Sequence, residues 1–162
     1  MTRLTLVEIQ KEENEFSAGH FTIFSATERE DLHGHNYSVS IAIQALLNDD
    51  GLSFDYRIYK KKCQALCQTL DRRFLLPSLS PYLKLEETPD MWIAHFNQER
   101  IPFLKRDVLI LPISNITIEE LSGWFLQQLT NDAEQMKAHH IQNITVKVFN
   151  GPGQSGGASC GC

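Results

Sequence analysis

The run His33-Gly34-His35-Asn36-Tyr37, leading into Ser38–Gln44, constrains this chain more than any other part of it. Tyr37, Val39, Ile41 and Ile43 alternate with Ser38, Ser40, Ala42 and Gln44, the period of two that a half-buried β-strand requires. Side chains two apart on a strand share a face, so His33 and His35 at its mouth point the same way, about 7 Å apart at their Cα atoms. Two nitrogen ligands are thereby aimed at one point. His20 ends an earlier extended stretch, Phe16-Ser-Ala-Gly-His20, and supplies a third nitrogen if that stretch pairs with the second strand. Three imidazoles with a fourth position open describe a catalytic zinc site. A bare His-x-His is also a common accident of composition, so the pair alone carries little weight.

The size of the chain says what such a metal would be for. With 162 residues, 42% hydrophobic and 22% charged, it reads as one soluble domain. A domain of this size buries roughly 70% of the surface its unfolded chain exposes, so it needs neither metal nor disulfide merely to have a core. Fifteen Lys+Arg against 20 Asp+Glu give a net charge of −5, which argues against a nucleic-acid protein held by phosphate contacts. Cys63 and Cys67 stand one helical turn apart, and Cys160 and Cys162 sit in a glycine-rich tail, unlike a secreted disulfide framework. Met1–Ile9 alternates apolar and polar residues without the apolar core of a secretory leader, and no stretch approaches the ~20 apolar residues of a membrane span. A cytoplasmic protein with no membrane contact is the expectation.

Further along the chain, Leu4, Leu6 and Glu15–Phe21 suggest the first extended stretch. Asp55 is a candidate N-cap for a helix with Ile58, Tyr59, Cys63, Leu66 and Leu70 at helical spacing. Thr117-Ile-Glu-Glu120 is a capping box opening a second helix with Leu121, Phe125 and Leu129 on one face, and Ile144, Val146 and Val148 form a closing strand. Residues 77–112 hold five of the six prolines and read as an inserted hairpin, too short for a core of its own. The tail 151–162 reads as partly mobile. We expect a single domain, 1–162. His95, in the hairpin, and His139 and His140, at a helix end, carry no assigned chemistry.

Seven segments together resemble the 6-pyruvoyl-tetrahydropterin synthase and 6-carboxytetrahydropterin synthase family. They are Phe16-Ser-Ala-Gly-His20, Leu32-His-Gly-His-Asn-Tyr37, Asp50-Gly-Leu-Ser-Phe-Asp55, Leu70-Asp71, Phe74-Leu-Leu-Pro77, Thr117-Ile-Glu119 and Val146-Lys-Val-Phe149, in the family's order and approximate spacing. The resemblance implies an α+β tunnelling fold: a four-stranded antiparallel sheet with two helices on one face, trimers closing sheets into a barrel, and two trimers stacked as a homo-hexamer. It implies that His20, His33 and His35 hold zinc, which acidifies a C–H bond in the side chain of a dihydropterin triphosphate for a general base. The small-molecule substrate is then 7,8-dihydroneopterin triphosphate or a related dihydropterin. The reaction is that of a lyase, and the product a 6-pyruvoyl-, 6-carboxy- or 6-hydroxymethyl-pterin of tetrahydrobiopterin-, folate- or queuosine-type biosynthesis.

Three positions depart from the family pattern. No cysteine occurs from Met1 to Lys62, so the usual base is absent. Glu30, in Glu28-Arg-Glu-Asp-Leu-His33, resembles a subgroup that carries glutamate there and leaves 6-hydroxymethyl-dihydropterin; burial raising its pKa toward the working pH would suit the task. On charge alone this segment is equally a solvated loop. Arg72 stands where the family has histidine after Leu70-Asp71; it cannot relay a proton but can hold a phosphate, with Asp71 orienting Arg72 or Glu30, or closing the first helix as an ion pair. Asn150 stands where a glutamate would grip the pterin, a mismatch worth about 1–3 kcal/mol when buried. Thr117 and Glu119 are the other pocket candidates, Glu119 serving equally as charge at a helix N-terminus. The departures leave open two rivals: an inert zinc-binding relative that binds a pterin-like or other heterocycle, and an enzyme for a non-pterin ring.

Overall fold

The computed structural model describes residues 3–161. The alternation read from the sequence forms strand β2 (His33–Leu47), with Tyr37, Val39, Ile41, Ile43 and Ala45 buried and the residues between them half-exposed. Its neighbour β1 (Arg3–His20) runs antiparallel to it as one long strand rather than two pieces, interrupted by a bulge between Gln10 and Glu15. The polar residues there leave the ladder while both ends stay paired. Helix α1 (Arg57–Leu70) buries Tyr59, Cys63, Cys67 and Leu70, a stripe at helical spacing. Asp55 lies just outside the helix, and its Oδ1 accepts from the Arg57 N–H at 3.0 Å, so it satisfies one of the orphan donors of the first turn although Tyr56 holds the cap position.

The chain then returns beside β1. Strand β3 (Arg73–Pro77) pairs parallel to it through Ala18 and Gly19. Next come β4 (Leu83–Glu87), β5 (Met91–Phe96) and β6 (Glu99–Leu104), a 3₁₀ turn at Lys105–Asp107, and β7 (Val108–Leu111), which lies parallel to β3. Helices α2 (Ile118–Leu129) and α3 (Ala133–Ala138) precede β8 (Ile141–Phe149) and β9 (Ser155–Gly161). Thr117 caps α2 by accepting from the Glu120 N–H at 3.2 Å, while the Glu120 carboxylate turns to Ser114 instead of closing the box.

This α+β architecture differs from the expected four-stranded antiparallel sheet with two helices. The main sheet has six strands in the order β7-β3-β1-β2-β8-β9, two of its pairings are parallel, and there are three helices. The two extra strands are β3 and β7, which add in parallel beyond β1; β1, β2, β8 and β9 form an antiparallel run of four. Residues 77–112, read as a hairpin, contain the three-stranded sheet β4-β5-β6. That sheet shares a small apolar cluster with Phe21, Ile23, Leu76 and Val108 of the main body. The main core is continuous from Phe16, Tyr37 and Ile41 on the sheet to Tyr59, Cys63 and Phe125 on the helices. No helix among the described residues is long and apolar enough to cross a membrane.

The glycine-rich tail, read as partly mobile, is strand β9, paired to β8 from Phe149↔Ser155 to Asn143↔Gly161; Cys162 lies outside the described residues. Gly156 is what lets it pass under α2. A Cβ there would lie 2.5 Å from the Ile118 carbonyl carbon, whereas one at Gly157 would meet nothing closer than 3.4 Å. Gly156→Ala should therefore lower unfolding free energy by about 1–3 kcal/mol through overpacking. Gly157→Ala should stay within about 0.5 kcal/mol of the parent. Urea denaturation of both proteins checks the contrast.

Candidate active site

The register of β1 and β2 builds the centre. His20, the last residue of β1, pairs directly with His33, the first of β2, and Ala18 pairs with His35. All three imidazoles therefore stand on one face, and their ligand nitrogens lie within 4.8 Å of one another. His33 Nε2 is 3.1 Å from His20 Nε2 and 3.1 Å from His35 Nε2. His20 is buried; the other two are half-exposed.

Backbone carbonyls decide which ring nitrogen is free. His20 Nδ1 donates to the Ile116 carbonyl at 2.8 Å and His33 Nδ1 donates to the Asp31 carbonyl at 2.7 Å. A carbonyl can only accept, so in the neutral rings the proton is on Nδ1 and the lone pair on Nε2. Two such lone pairs 3.1 Å apart cannot hydrogen-bond to each other and repel, a conflict that a cation between them removes. Burial holds His20 below the ordinary histidine range, opposed by its bond to Ile116 and aided by His33 and His35; burial and His33 do the same to His35. Both are in the ligand form at neutral pH. A three-nitrogen set with two of its second nitrogens, those of His20 and His33, tied to carbonyls fits zinc with an exchangeable fourth ligand.

Glu30 stands beside the triad. Its Oε1 accepts the Thr22 N–H at 2.9 Å, and its Oε2 lies 3.9 Å from His33 Nε2. Burial alone would raise its pKa, as expected from the sequence, but the Thr22 hydrogen bonds together with His20 and His33 outweigh burial and hold the carboxyl below the ordinary glutamate range. It is thus charged at neutral pH and able to accept a proton.

A cavity of about 430 Å³ joins these groups: His20, Thr22, Glu30, His35 and Tyr37 on one side, Thr117, Ile118 and Glu119 at the start of α2, and Asn150 and Gln154 beyond β8. The three pocket candidates from the sequence thus line the same space as His20 and His35 of the triad. Asn150 Oδ1 already accepts from Gln154 Nε2 at 2.7 Å, which leaves its amide N–H groups as the free hydrogen-bonding face. Burial, reinforced by the Glu30 charge, pushes the Tyr37 hydroxyl up, so it stays protonated.

Asp71 and Arg72 lie elsewhere. Asp71 Oδ1 accepts the Ser17 N–H at 2.8 Å, and Arg72, at φ +62°, has its guanidinium almost fully exposed 3.7 Å from Asp71. Arg72 lines a neighbouring cavity of about 480 Å³ with Ser17, Gly19, Gly34 and Asn36, which alternate with Ala18, His20, His33 and His35; of those four, Ala18 and His35 also reach its wall. Within one chain the structure does not bring Asp71 or Arg72 to the triad's cavity. Neither His95, which bonds Glu86 at 2.6 Å, nor His139, which bonds the Tyr59 hydroxyl at 2.9 Å, lines this cavity, and nor does His140.

Comparison with known proteins agrees with this construction. The family model for 6-pyruvoyl tetrahydropterin synthase matches residues 8–156. The chain therefore belongs to that family of α+β pterin-synthase folds. Among solved structures, 6-pyruvoyl tetrahydropterin synthase of Plasmodium falciparum is 31% identical with a TM-score of 0.92, covering 98% of this chain and 99% of that one. The Plasmodium vivax enzyme is 29% identical with a TM-score of 0.93, covering 99% of both chains, and another of its structures is of a variant whose catalytic residue, a glutamate, is replaced by alanine. A Pyrococcus horikoshii protein, provisionally named 6-carboxy-5,6,7,8-tetrahydropterin synthase, is 26% identical over 139 residues, 85% of this chain and 81% of its own.

Three groups have no signal in sequence pattern: the carbonyls of Ile116 and Asp31, and Thr22, whose backbone N–H binds Glu30. Gln154 escaped notice because its segment reads as tail. If the triad is a zinc site, metal analysis gives one zinc per chain, and zinc at a thousandfold excess over its Kd raises unfolding free energy by about 4 kcal/mol. His33→Ala, measured by calorimetric titration, weakens binding by more than the about 10–100-fold typical of losing an outer-shell partner.

Proposed function

We propose that this protein is a zinc-dependent pterin synthase, a lyase acting on the side chain of 7,8-dihydroneopterin triphosphate or a related dihydropterin. The observation that carries this reading is the meeting of three metal-ligand nitrogens with a charged Glu30 carboxylate, beside a cavity that His20, His35 and Glu30 line. His20, His33 and His35 would hold zinc, and zinc bound there supplies Lewis-acid polarisation of side-chain oxygens, which acidifies the adjacent C–H bond. Glu30 takes that proton and returns it. Thr22 keeps the carboxylate aimed and ionised, while Thr117, Glu119 and the amide of Asn150 receive the heterocycle. Support for glutamate as base comes from the Plasmodium vivax relative, whose replaced catalytic residue is a glutamate, and from the absence of cysteine before Cys63. Glutamate at this place favours the 6-hydroxymethyl product among the three: for it Glu30 would take the proton of the outer of the two side-chain hydroxyls, the C–C bond between the hydroxyl-bearing carbons breaks to release an aldehyde carrying the triphosphate, and the pterin-side carbon keeps the electron pair and takes the proton back.

Asp71 and Arg72 take no part in these steps within one chain. A homo-oligomer, trimer or hexamer, belongs to this reading, and the unpaired edges at β7 and β9 are where further strands can add. The reading as an inert zinc-binding relative is not favoured: its motive is the departures at Arg72 and Asn150, and against it stands the nearness of the triad, the Glu30 carboxylate and the pocket.

The test is incubation of the zinc-loaded protein with 7,8-dihydroneopterin triphosphate and chromatographic identification of the pterin formed; no turnover would refute the proposal. Glu30→Gln should lower kcat by about 10²–10⁴-fold while zinc content stays at the parent level. The sign of the pH dependence follows from the lowered pKa: the base is charged above its folded value and loses activity as pH falls through it. The acid limb of the kcat profile should therefore lie below the ordinary glutamate range, and a limb above that range would contradict the assignment.

A further inference from the structure

We infer that Arg29 and Glu99 are a positioning pair for Glu30, so that the three-stranded sheet acts on the site from outside it. This rests on the reading of Glu30 as the base. Arg29 Nε and Nη2 donate to the two oxygens of Glu99 at 3.0 and 2.9 Å, a fork-to-fork pair. Its remaining nitrogen, Nη1, donates to the backbone carbonyl of Glu30 at 2.8 Å. The guanidinium carbon lies 5.3 Å from the ring centre of Phe21, which is buried and follows the ligand His20. One side chain thereby connects the base, the residue after a metal ligand, and the first residue of β6.

The geometry shows what the pair controls. The segment between His20 and His33 folds back on itself: the Glu30 N–H donates to the Thr22 carbonyl at 2.9 Å, and the Thr22 N–H donates to Glu30 Oε1 at 2.9 Å. These two bonds fix where the carboxylate points. Across the fold, Ile23 bridges to Arg29, and Asn115 holds Ile23 through both its amide oxygen and nitrogen. Thus Asn115 anchors the first arm of the fold to the main body. Arg29 anchors the second, and its anchor is Glu99 on the small sheet. Releasing Glu99 removes the hold of the small sheet on the Glu30 arm and leaves its own partner arm, the Arg29–Phe21 contact and the His33–Asp31 bond.

Arg29 is well covered, at 15% side-chain exposure, while Glu99 stands at 49% beside the β5–β6 turn. Glu99→Gln therefore removes the charged fork with little effect on packing. Arg29→Lys keeps the charge but cannot reach three acceptors with planar geometry.

Two readouts test the inference, both on the zinc-loaded full chain. Hydrogen exchange at the Thr22 and Glu30 amides should speed up by about tenfold or more in Glu99→Gln and Arg29→Lys, with the amides of β2 and β8 unchanged, which reports local rather than global opening. With 7,8-dihydroneopterin triphosphate, kcat should fall by about ten- to a hundredfold at unchanged KM and zinc affinity, as expected for a displaced catalytic group. Unchanged exchange at those two amides overturns the inference whatever the rate does. Faster exchange with parental kcat also overturns it, because the base would then not need the pair. If the parent protein turns over no pterin, the functional reading fails; the exchange result still decides whether the pair holds Glu30.

Discussion

The antiparallel pairing of β1 with β2 is the constraint on which the site depends. Because side chains alternate along a strand, a slip of one residue would send His20 to the opposite face from His33 and His35 and dissolve the centre. Two features protect the register. The bulge between Gln10 and Glu15 absorbs the mismatch in the distal half, leaving Glu15–His20 paired without interruption. Gly19 and Gly34 face each other where the backbones are crowded: a Cβ on Gly34 would stand 3.0 Å from the Ala18 carbonyl oxygen, and one on Gly19 would strike the Phe74 ring at 2.4 Å. The glycine between the two histidines of β2 is thus a packing requirement of the back face as well as a spacer on the front.

Residues 113–120 tie the core to the chemistry. Ile116 is fully buried in the main core, and its carbonyl orients His20; the next residue, Thr117, caps α2 and lines the cavity. Asn115 holds the segment that follows His20. The same turn therefore sets a ligand's tautomer, the wall of the pocket and one arm of the loop carrying Glu30. Function in this protein is distributed over β1, β2, the turn before α2 and the small sheet, with the apolar core keeping them in register.

What was legible in the sequence was local and periodic. The strand at Tyr37–Gln44, the helix stripe through Tyr59, Cys63 and Leu70, the cap at Thr117 and the His33–His35 pair all follow from spacing alone. What was not legible was long-range. Phe74–Pro77 and Val108–Leu111 are apolar runs too short to distinguish by period, and they became parallel strands only because β1 offered an edge. Ser155–Gly161 has almost no apolar alternation, and its strand is imposed by β8. The sign of the Glu30 shift was inverted because hydrogen bonds from Thr22 and the neighbouring imidazoles outweigh burial, and nothing in a linear reading gives that balance. Asp71 keeps the motif and Arg72 departs from it, and neither lines the cavity beside Glu30, a placement that only the pairing of the strands in three dimensions shows.

The central claim, that three imidazoles converge on one divalent ion, is tested most directly by anomalous diffraction at the zinc edge from crystals of the zinc-loaded protein. The account predicts a single strong peak about 2.0–2.1 Å from Nε2 of His20, His33 and His35, with its fourth ligand turned toward the cavity that holds Glu30. A peak held by other side chains, or rings turned so that Nδ1 faces the ion, would contradict it.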